Sequence, residues 1–282
     1  PGAVDGMIKI HEKYGTFLWE ELLQPAIDLA SSGFRLTEKE ANKLNRFTKD
    51  KGMVNGVEHP YVNATKWEQG DTLILKDLAS TLMLIRDHKR EGFYSGKTAK
   101  LIINEMESNN GFINLKDLNN YESKWRKPII AHYKNHKIIS MGPPSSGGIL
   151  LCQMLKMIEE YPISDWGFHS LKTVHLMAEM ERRSFADRSE YLGDPDFVKH
   201  PEKELLDGKY LKRRIQNIRF DTVSISESIS PGDVYFKESN ETTHFSIVDE
   251  QGNAAAVTTT LNGSFGSGVI VKGGGFLLNN EM

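Results

Sequence analysis

A single cysteine, Cys152, stands among 282 residues, so no intrachain disulfide exists. It sits in the apolar run Ile149-Leu150-Leu151-Cys152 and reads as a buried, inert thiol rather than a nucleophile. Runs of about 18 apolar residues are missing, which excludes a membrane-spanning helix in this stretch. An excess of one charge is missing too. The chain has 35 Lys and Arg against 38 Asp and Glu, a net charge of −3. A binder of nucleic-acid backbone normally carries a basic excess or stripe, so that class is set aside. The basic run Lys212-Arg213-Arg214 lies in a helical pattern and reads as a solvated helix face. Metal-binding patterns are thin as well. His132 and His136 have the spacing of helical ligands but flank an expected hairpin turn, and no metal site is assigned. Gly263, Gly266 and Gly268 fit neither a Walker loop nor a dinucleotide fingerprint. The run Gly142-Pro143-Pro144-Ser145-Ser146-Gly147-Gly148 precedes a helix, but its prolines remove amide donors from any anion cradle.

The chain is long enough to bury a sizeable core. Its first 220 residues read mostly as helix. Residues 17–30 are apolar at helical spacing and stop at Gly33. Thr37-Glu38-Lys39-Glu40 is a capping box, hydroxyl and carboxylate each satisfying the other residue's amide. Further helices are expected over 73–88, 97–106, 149–161 and 170–188. In the last, Leu171, Val174, Ala178 and Phe185 share one face, with Glu181 and Arg182 intruding beside it and expected to pair. Residues 128–133 and 137–141 read as two strands around a short turn. Residues 221–241 are rich in Ser, Glu and Asp and read as an exposed, mobile connector. Immediately after it comes a β pattern: a strand over 244–249, a turn at Glu250-Gln251-Gly252-Asn253, and a return strand over 254–261.

The most informative point is Glu241-Thr242-Thr243-His244, where the polar connector runs into the hairpin. Taken by itself the threonine pair is unremarkable, since threonine is common at strand starts. The surrounding residues change its meaning. Thr242-Thr243-His244-Phe245-Ser246-Ile247-Val248-Asp249, Gly252-Asn253, Thr258-Thr259-Thr260-Leu261-Asn262 and Leu277-Leu278-Asn279-Asn280-Glu281-Met282 resemble the gamma-glutamyltranspeptidase family. So do Gly2-Ala3-Val4-Asp5-Gly6, Gln24-Pro25-Ala26-Ile27, Gly70-Asp71-Thr72-Leu73, Pro143-Pro144-Ser145-Ser146-Gly147-Gly148 and Ala186-Asp187-Arg188, in the family's order along essentially the whole chain.

The resemblance implies an α/β (α+β) chain, a four-layer αββα sandwich of the N-terminal nucleophile hydrolase type, with the hairpin in a central sheet. It implies a precursor that cuts itself between Glu241 and Thr242. Residues 1–241 would then be the C-terminal part of a large subunit and 242–282 the N-terminal part of a small one, the two forming a heterodimer. The chemistry accounts for the cut. A threonine hydroxyl needs a base, and a new α-amine, with a reference pKa of about 7.7–8.0, supplies one on the same residue. Thr242 is thus the implied nucleophile and Thr260 the threonine that supports it. Asn262 and Glu281 are implied to bind the α-amino group of the substrate, an amide oxygen and a carboxylate both being acceptors for an ammonium. His244 shares the strand face of Thr242 by alternation, yet reads as structural. The implied activity transfers a γ-glutamyl group from glutathione or a related γ-glutamyl compound to water, an amino acid or a peptide. No metal or organic cofactor is implied. Periplasmic or extracellular location is the family's expectation.

The family's carboxylate-binding arginine, a second acidic ammonium ligand, a serine pair and the oxyanion glycines are assigned to no residue here. The chain, opening at Pro1, is read as a piece of a longer reading frame. Two rival readings stand beside the main one: a related amidohydrolase, such as a cephalosporin-type acylase or a poly-γ-glutamate depolymerase, and an uncleaved binding paralogue.

Overall fold

The computed structural model describes residues 2–51, 59–62, 65–230 and 243–280. In chain order the elements are α1 (Gly2–Tyr14), α2 (Trp19–Ser32), β1 (Phe34–Arg35), α3 (Glu38–Lys51), β2 (Thr72–Leu73), α4 (Lys76–His88), α5 (Glu91–Tyr94), α6 (Gly96–Ser108) and α7 (Leu115–Asn120). Then follow β3 (Ile129–Tyr133), β4 (His136–Ser140), α8 (Gly147–Ile158), α9 (Leu171–Tyr191), α10 (Glu202–Leu205), α11 (Gly208–Ile215), β5 (Thr243–Val248) and β6 (Ala254–Thr259). The chain is therefore a mixture of helix and strand. Among the described residues the strands form three antiparallel pairs, β1 with β2, β3 with β4 and β5 with β6.

Two compact units contain these elements, Pro1–Lys124 with Ser239–Met282, and Trp125–Glu238. The first unit is built on helices whose ends follow local chemistry. Gly33, at φ 85°, closes α2 and sends its N–H to the Leu29 carbonyl. The capping box opens α3: Glu40 accepts from the Thr37 amide at 2.8 Å and its hydroxyl at 2.7 Å, and Thr37 Oγ1 accepts from the Glu40 amide at 3.3 Å. These bonds, the Thr37 amide first, hold the Glu40 carboxyl below its ordinary value. One apolar cluster joins Ile8, Trp19, Ile85, Phe93, Tyr94, Ile102 and Val271. A second joins Ala30, Leu36, Leu44, Leu73, Leu75 and Ala79. Buried Asp5 ties α1 to the segment after α7, accepting from the Ser123 amide at 2.7 Å, the Ser123 hydroxyl at 2.6 Å, and Arg90. Burial pushes its carboxyl up, but these donors outweigh that and leave it lowered.

The second unit departs from the sequence pattern in α9. The expected apolar face is the outer one: Leu171 is 87% exposed and Val174 50%. The buried face is polar, carrying Glu179, Arg183, Ser184 and Asp187 beside Leu176 and Met180. Charged groups tolerate such burial only when paired and hydrogen-bonded, and here they are. Glu179 accepts from Arg182 at 2.8 Å, Arg183 at 2.7 Å and the Ser224 amide at 2.9 Å. Arg182 therefore pairs with Glu179 rather than with Glu181, which is exposed. Burial pushes the Glu179 carboxyl up, yet hydrogen bonds from Ser224 and Arg183 override it and hold the group at about 2. The basic run splits as well. Lys212 and Arg213 are solvated, while Arg214 turns inward, 2.9 Å from Asp187. Burial of Asp187 outweighs Arg214 and raises its carboxyl. Cys152 is buried as expected, and its thiol is pushed up by burial. The start of the expected connector is anchored: a 3₁₀ turn spans Ser226–Ser228 and Ile229 is buried.

Candidate active site

The hairpin β5–β6 has the register Thr243↔Thr259, His244↔Thr258 and Phe245↔Val257. Its turn is closed by Asp249, whose amide donates to the Asn253 carbonyl and whose carboxylate accepts from the Asn253 amide and side chain. His244 is held on its own face of the hairpin. Its Nδ1 lies 2.8 Å from Thr258 Oγ1 and its Nε2 3.2 Å from Ser246 Oγ. Both ring nitrogens thus meet hydroxyls, which fits the structural reading of this histidine. Phe245, Ile247 and Val248 remain exposed.

Beyond β6 the chain enters a hydrogen-bonded junction. Thr260 Oγ1 accepts from the Asn262 amide at 2.8 Å. This closes a tight local turn of the kind that threonine hydroxyls favour. Asn262 takes a left-handed conformation at φ 68°, which asparagine tolerates better than most residues. Its Nδ2 donates to Asn280 Oδ1 at 3.3 Å, and the Gly263 amide donates to the same oxygen at 2.9 Å. The Asn280 amide in turn donates to the Leu261 carbonyl at 3.3 Å. Thr260 and Asn262 are thereby brought together, and Asn280 is bound to both ends of the turn that follows Leu261.

The glycine-rich loop between Gly263 and Asn280 sets this junction against the helices. Gly266 is left-handed at φ 54°, and a Cβ there would lie 2.0 Å from the Leu278 carbonyl oxygen. Gly275 is left-handed at φ 78°, and a Cβ there would lie 2.2 Å from the Leu78 amide on α4. Only glycine permits such backbone approach. Thr81 of α4 donates its hydroxyl to the Gly274 carbonyl at 2.8 Å. Val271, Phe276 and Leu278 pack into the first apolar cluster, and Phe265 stacks on Phe47 at 4.2 Å. Burying one such side chain contributes roughly 1.5–3 kcal/mol, so the loop is pinned from both ends.

Thr242, the cleavage pair Glu241–Thr242, and Glu281 lie outside the described residues. Thr242 is adjacent in sequence to Thr243, which opens β5, and Glu281 to Asn280. Among the described residues no group of three or more His, Cys, Asp or Glu side chains is placed to hold a metal ion. Sequence reasoning assigned no role to Asn280. The signal was present, since an asparagine directly before an implied ligand stood in the quoted motif, but its partner lies 17 residues upstream.

The model of the gamma-glutamyltranspeptidase family matches residues 1–282. The chain is 40% identical over 284 residues to the glutathione hydrolase proenzyme of Pseudomonas sp. (strain A14), covering all of this chain and 49% of that protein. It is also 40% identical over 288 residues to the glutathione hydrolase proenzyme of Escherichia coli (strain K12), again covering all of this chain and 49% of the relative. The chain spans about half the length of the curated relatives it matches. Among solved structures, the gamma-glutamyltranspeptidase of Helicobacter pylori superimposes with a TM-score of 0.74 at 39% identity, covering 86% of this chain and 70% of that one. On the family match over its whole length, supported by relatives and a solved structure near 40% identity, the chain belongs to the gamma-glutamyltranspeptidase family.

Proposed function

We propose that this chain is the part of a γ-glutamyltransferase and glutathione hydrolase that carries the self-cleavage point and the nucleophile. One observation supports the reading most: the hairpin register sets Thr243 against Thr259, and Thr260, the residue just past the end of β6, accepts from the Asn262 amide, while the Asn262 side chain donates to Asn280. Thr242 directly precedes Thr243 in sequence, and Glu281 directly follows Asn280.

The precursor is cut between Glu241 and Thr242. The Thr242 hydroxyl then attacks the γ-carbonyl carbon of a γ-glutamyl donor such as glutathione. Its α-amine takes the hydroxyl proton and passes it to the leaving amine as the C–N bond breaks, so one residue supplies nucleophile and base. Thr260 supports the attacking hydroxyl. Asn262 and Glu281 accept hydrogen bonds from the donor's α-ammonium. Attack on the resulting ester by water gives hydrolysis, and attack by the amine of an amino acid or peptide gives transpeptidation. Both restore Thr242. The large and small parts stay together as a heterodimer within one four-layer αββα sandwich, whose central sheets would cover the exposed apolar side chains of β5.

Intact-mass analysis and N-terminal sequencing of the complete gene product test this. Two chains are expected, the smaller beginning Thr-Thr-His-Phe, and Thr242→Ala is expected to stay as one chain. A parent protein that stays uncut, or a Thr242→Ala variant that cuts efficiently at the same bond, refutes it.

A further inference from the structure

We propose that the buried polar cluster joining α8, α9 and α11 is a binding site for one ordered internal water molecule. Four side-chain atoms there are buried with no hydrogen-bond partner in the protein: Gln153 Oε1, Ser184 Oγ, Asp187 Oδ1 and Arg214 Nε. Gln153, Ser184 and Asp187 are at most 1% exposed. The four belong to one place. Gln153 Nε2, on α8, donates to Asp187 Oδ2 at 2.9 Å and to the Leu205 carbonyl at 3.1 Å. Arg214 Nη2, on α11, lies 2.9 Å from Asp187 Oδ1. Ser184 precedes Asp187 by three residues on the buried face of α9, which makes the two side chains neighbours. The Asp187 carboxyl is thus the hub to which the other three side chains are tied, and Tyr210 is a further partner of it.

The bonds already made fix which capacity is left over. Both partners of Gln153 Nε2 are acceptors, so the orientation of that amide is set and its oxygen needs a donor. Arg214 gives its Nη2 to the Arg183 carbonyl at 2.7 Å and its Nη1 to the Ser230 carbonyl, which leaves the Nε–H. A carboxylate oxygen accepts more than one bond, so the ion pair with Arg214 leaves room on Asp187 Oδ1. The remainder is two acceptors, Gln153 Oε1 and Asp187 Oδ1, one N–H donor and one hydroxyl able to donate. A water molecule has two O–H donors and two lone pairs, so one molecule answers all four. Other small ligands do not. A metal cation or an ammonium has nothing to accept the Arg214 N–H, and a halide has nothing to donate to the two oxygens. Buried polar groups left unmet are costly, and a buried water ordinarily makes about three bonds of this kind. Held on the water through Nε and on the Arg183 and Ser230 carbonyls through its two Nη atoms, the Arg214 guanidinium is fixed along its whole edge, and with it the anchor on Ser230.

A crystal structure of the complete gene product that shows ordered solvent tests this. One water peak is expected at about 2.5–3.2 Å from at least three of the four atoms, and crystals soaked in bromide should show no anomalous peak there. In solution, oxygen-17 relaxation dispersion counts long-lived internal waters. The double variant Gln153→Met with Ser184→Ala leaves two of the four partners, fewer than a buried water usually keeps, and the count is expected to fall by one. The proposal is overturned if the parent shows no density among the four atoms, if Ser184 Oγ bonds directly to Gln153 Oε1, if bromide occupies the place, or if the double variant, shown to be folded by circular dichroism, keeps the parental count. If the double variant does not fold, the crystallographic result on the parent decides.

Discussion

Thr81→Val separates the docking of the glycine-rich loop from the packing of α4. Thr81 is 4% exposed, and its hydroxyl donates to the Gly274 carbonyl at 2.8 Å. Valine keeps the branched shape, so no cavity opens and only the donor is lost. A neutral hydrogen bond contributes about 0.5–1.5 kcal/mol net, and a buried acceptor left unmet costs about 1–3 kcal/mol. The carbonyl of a buried glycine held against a helix has little access to water, so the upper range applies and about 1–3 kcal/mol is expected. Thr81→Ser is the matched control: it keeps the donor and loses one methyl, worth about 0.8 kcal/mol. Urea unfolding of the complete gene product gives the stability change, read as a shift in midpoint at unchanged slope.

Amide exchange localises that change. The loop is closed by the Val271 amide on the Phe276 carbonyl and the Leu278 amide on the Val269 carbonyl, both at 3.0 Å. In Thr81→Val these two amides are expected to exchange faster by about tenfold, the factor that corresponds to roughly 1.4 kcal/mol of easier local opening. Amides of α9, in the other unit, are expected to keep their rates. The reasoning fails if valine costs no more than serine, or if Val271 and Leu278 exchange at parental rates in the valine variant. Either result would mean that apolar packing alone docks the loop, and that Thr81 does not help hold the segment ending at Asn280.

Two more expectations follow from the second unit. Glu179 is held at about 2 against an ordinary value of 4.5, so its contribution to stability is complete above about pH 4.5 and is lost as pH falls toward 2. Denaturant midpoints of parent and Glu179→Gln should differ most near neutrality, with the parent more stable, and converge in acid; a constant gap would refute the assignment. Cys152 is buried and its thiol raised, so it should not react with a thiol reagent at pH 8 until denaturant is added, and fast native labelling would contradict the burial.

Local signals carried much of the secondary structure. The Thr37–Glu40 capping box, the Gly33 stop and the hairpin, expected as strands over 244–249 and 254–261 and found as Thr243–Val248 and Ala254–Thr259, depend on residues close in sequence, and all are found. The failure in α9 has a physical cause. Periodicity assumes that the apolar stripe faces the core. Here Glu179, Arg183 and Asp187 face inward because Ser224, Asn217 and Arg214, between 27 and 45 residues later in sequence, complete their hydrogen bonds. Nothing in the residues 170–188 alone announces those partners. The same blindness placed Arg214 on a solvated face, although its carboxylate partner stands in another helix.

The candidate site was named from resemblance, and its wiring was not legible in the sequence. Threonine, asparagine and glutamate at 242, 260, 262 and 281 were named from motif resemblance, which identifies residue types suited to a nucleophile and an ammonium pocket. What draws Thr260, Asn262 and Asn280 together is backbone geometry. Gly266 must be left-handed and without a Cβ for the chain to pass against Leu278, and Gly275 must lie against Leu78 for the loop to seat on α4. Those glycines read in sequence as generic turns, because close approach between segments 12 or nearly 200 residues apart leaves no periodic trace. A substitution at Gly266 should therefore disturb the junction of Thr260, Asn262 and Asn280 without altering any of those residues. A Cβ 2.0 Å from the Leu278 oxygen forces the two strands of the loop apart, and Asn280, two residues beyond Leu278, then loses its hold on Gly263 and Asn262.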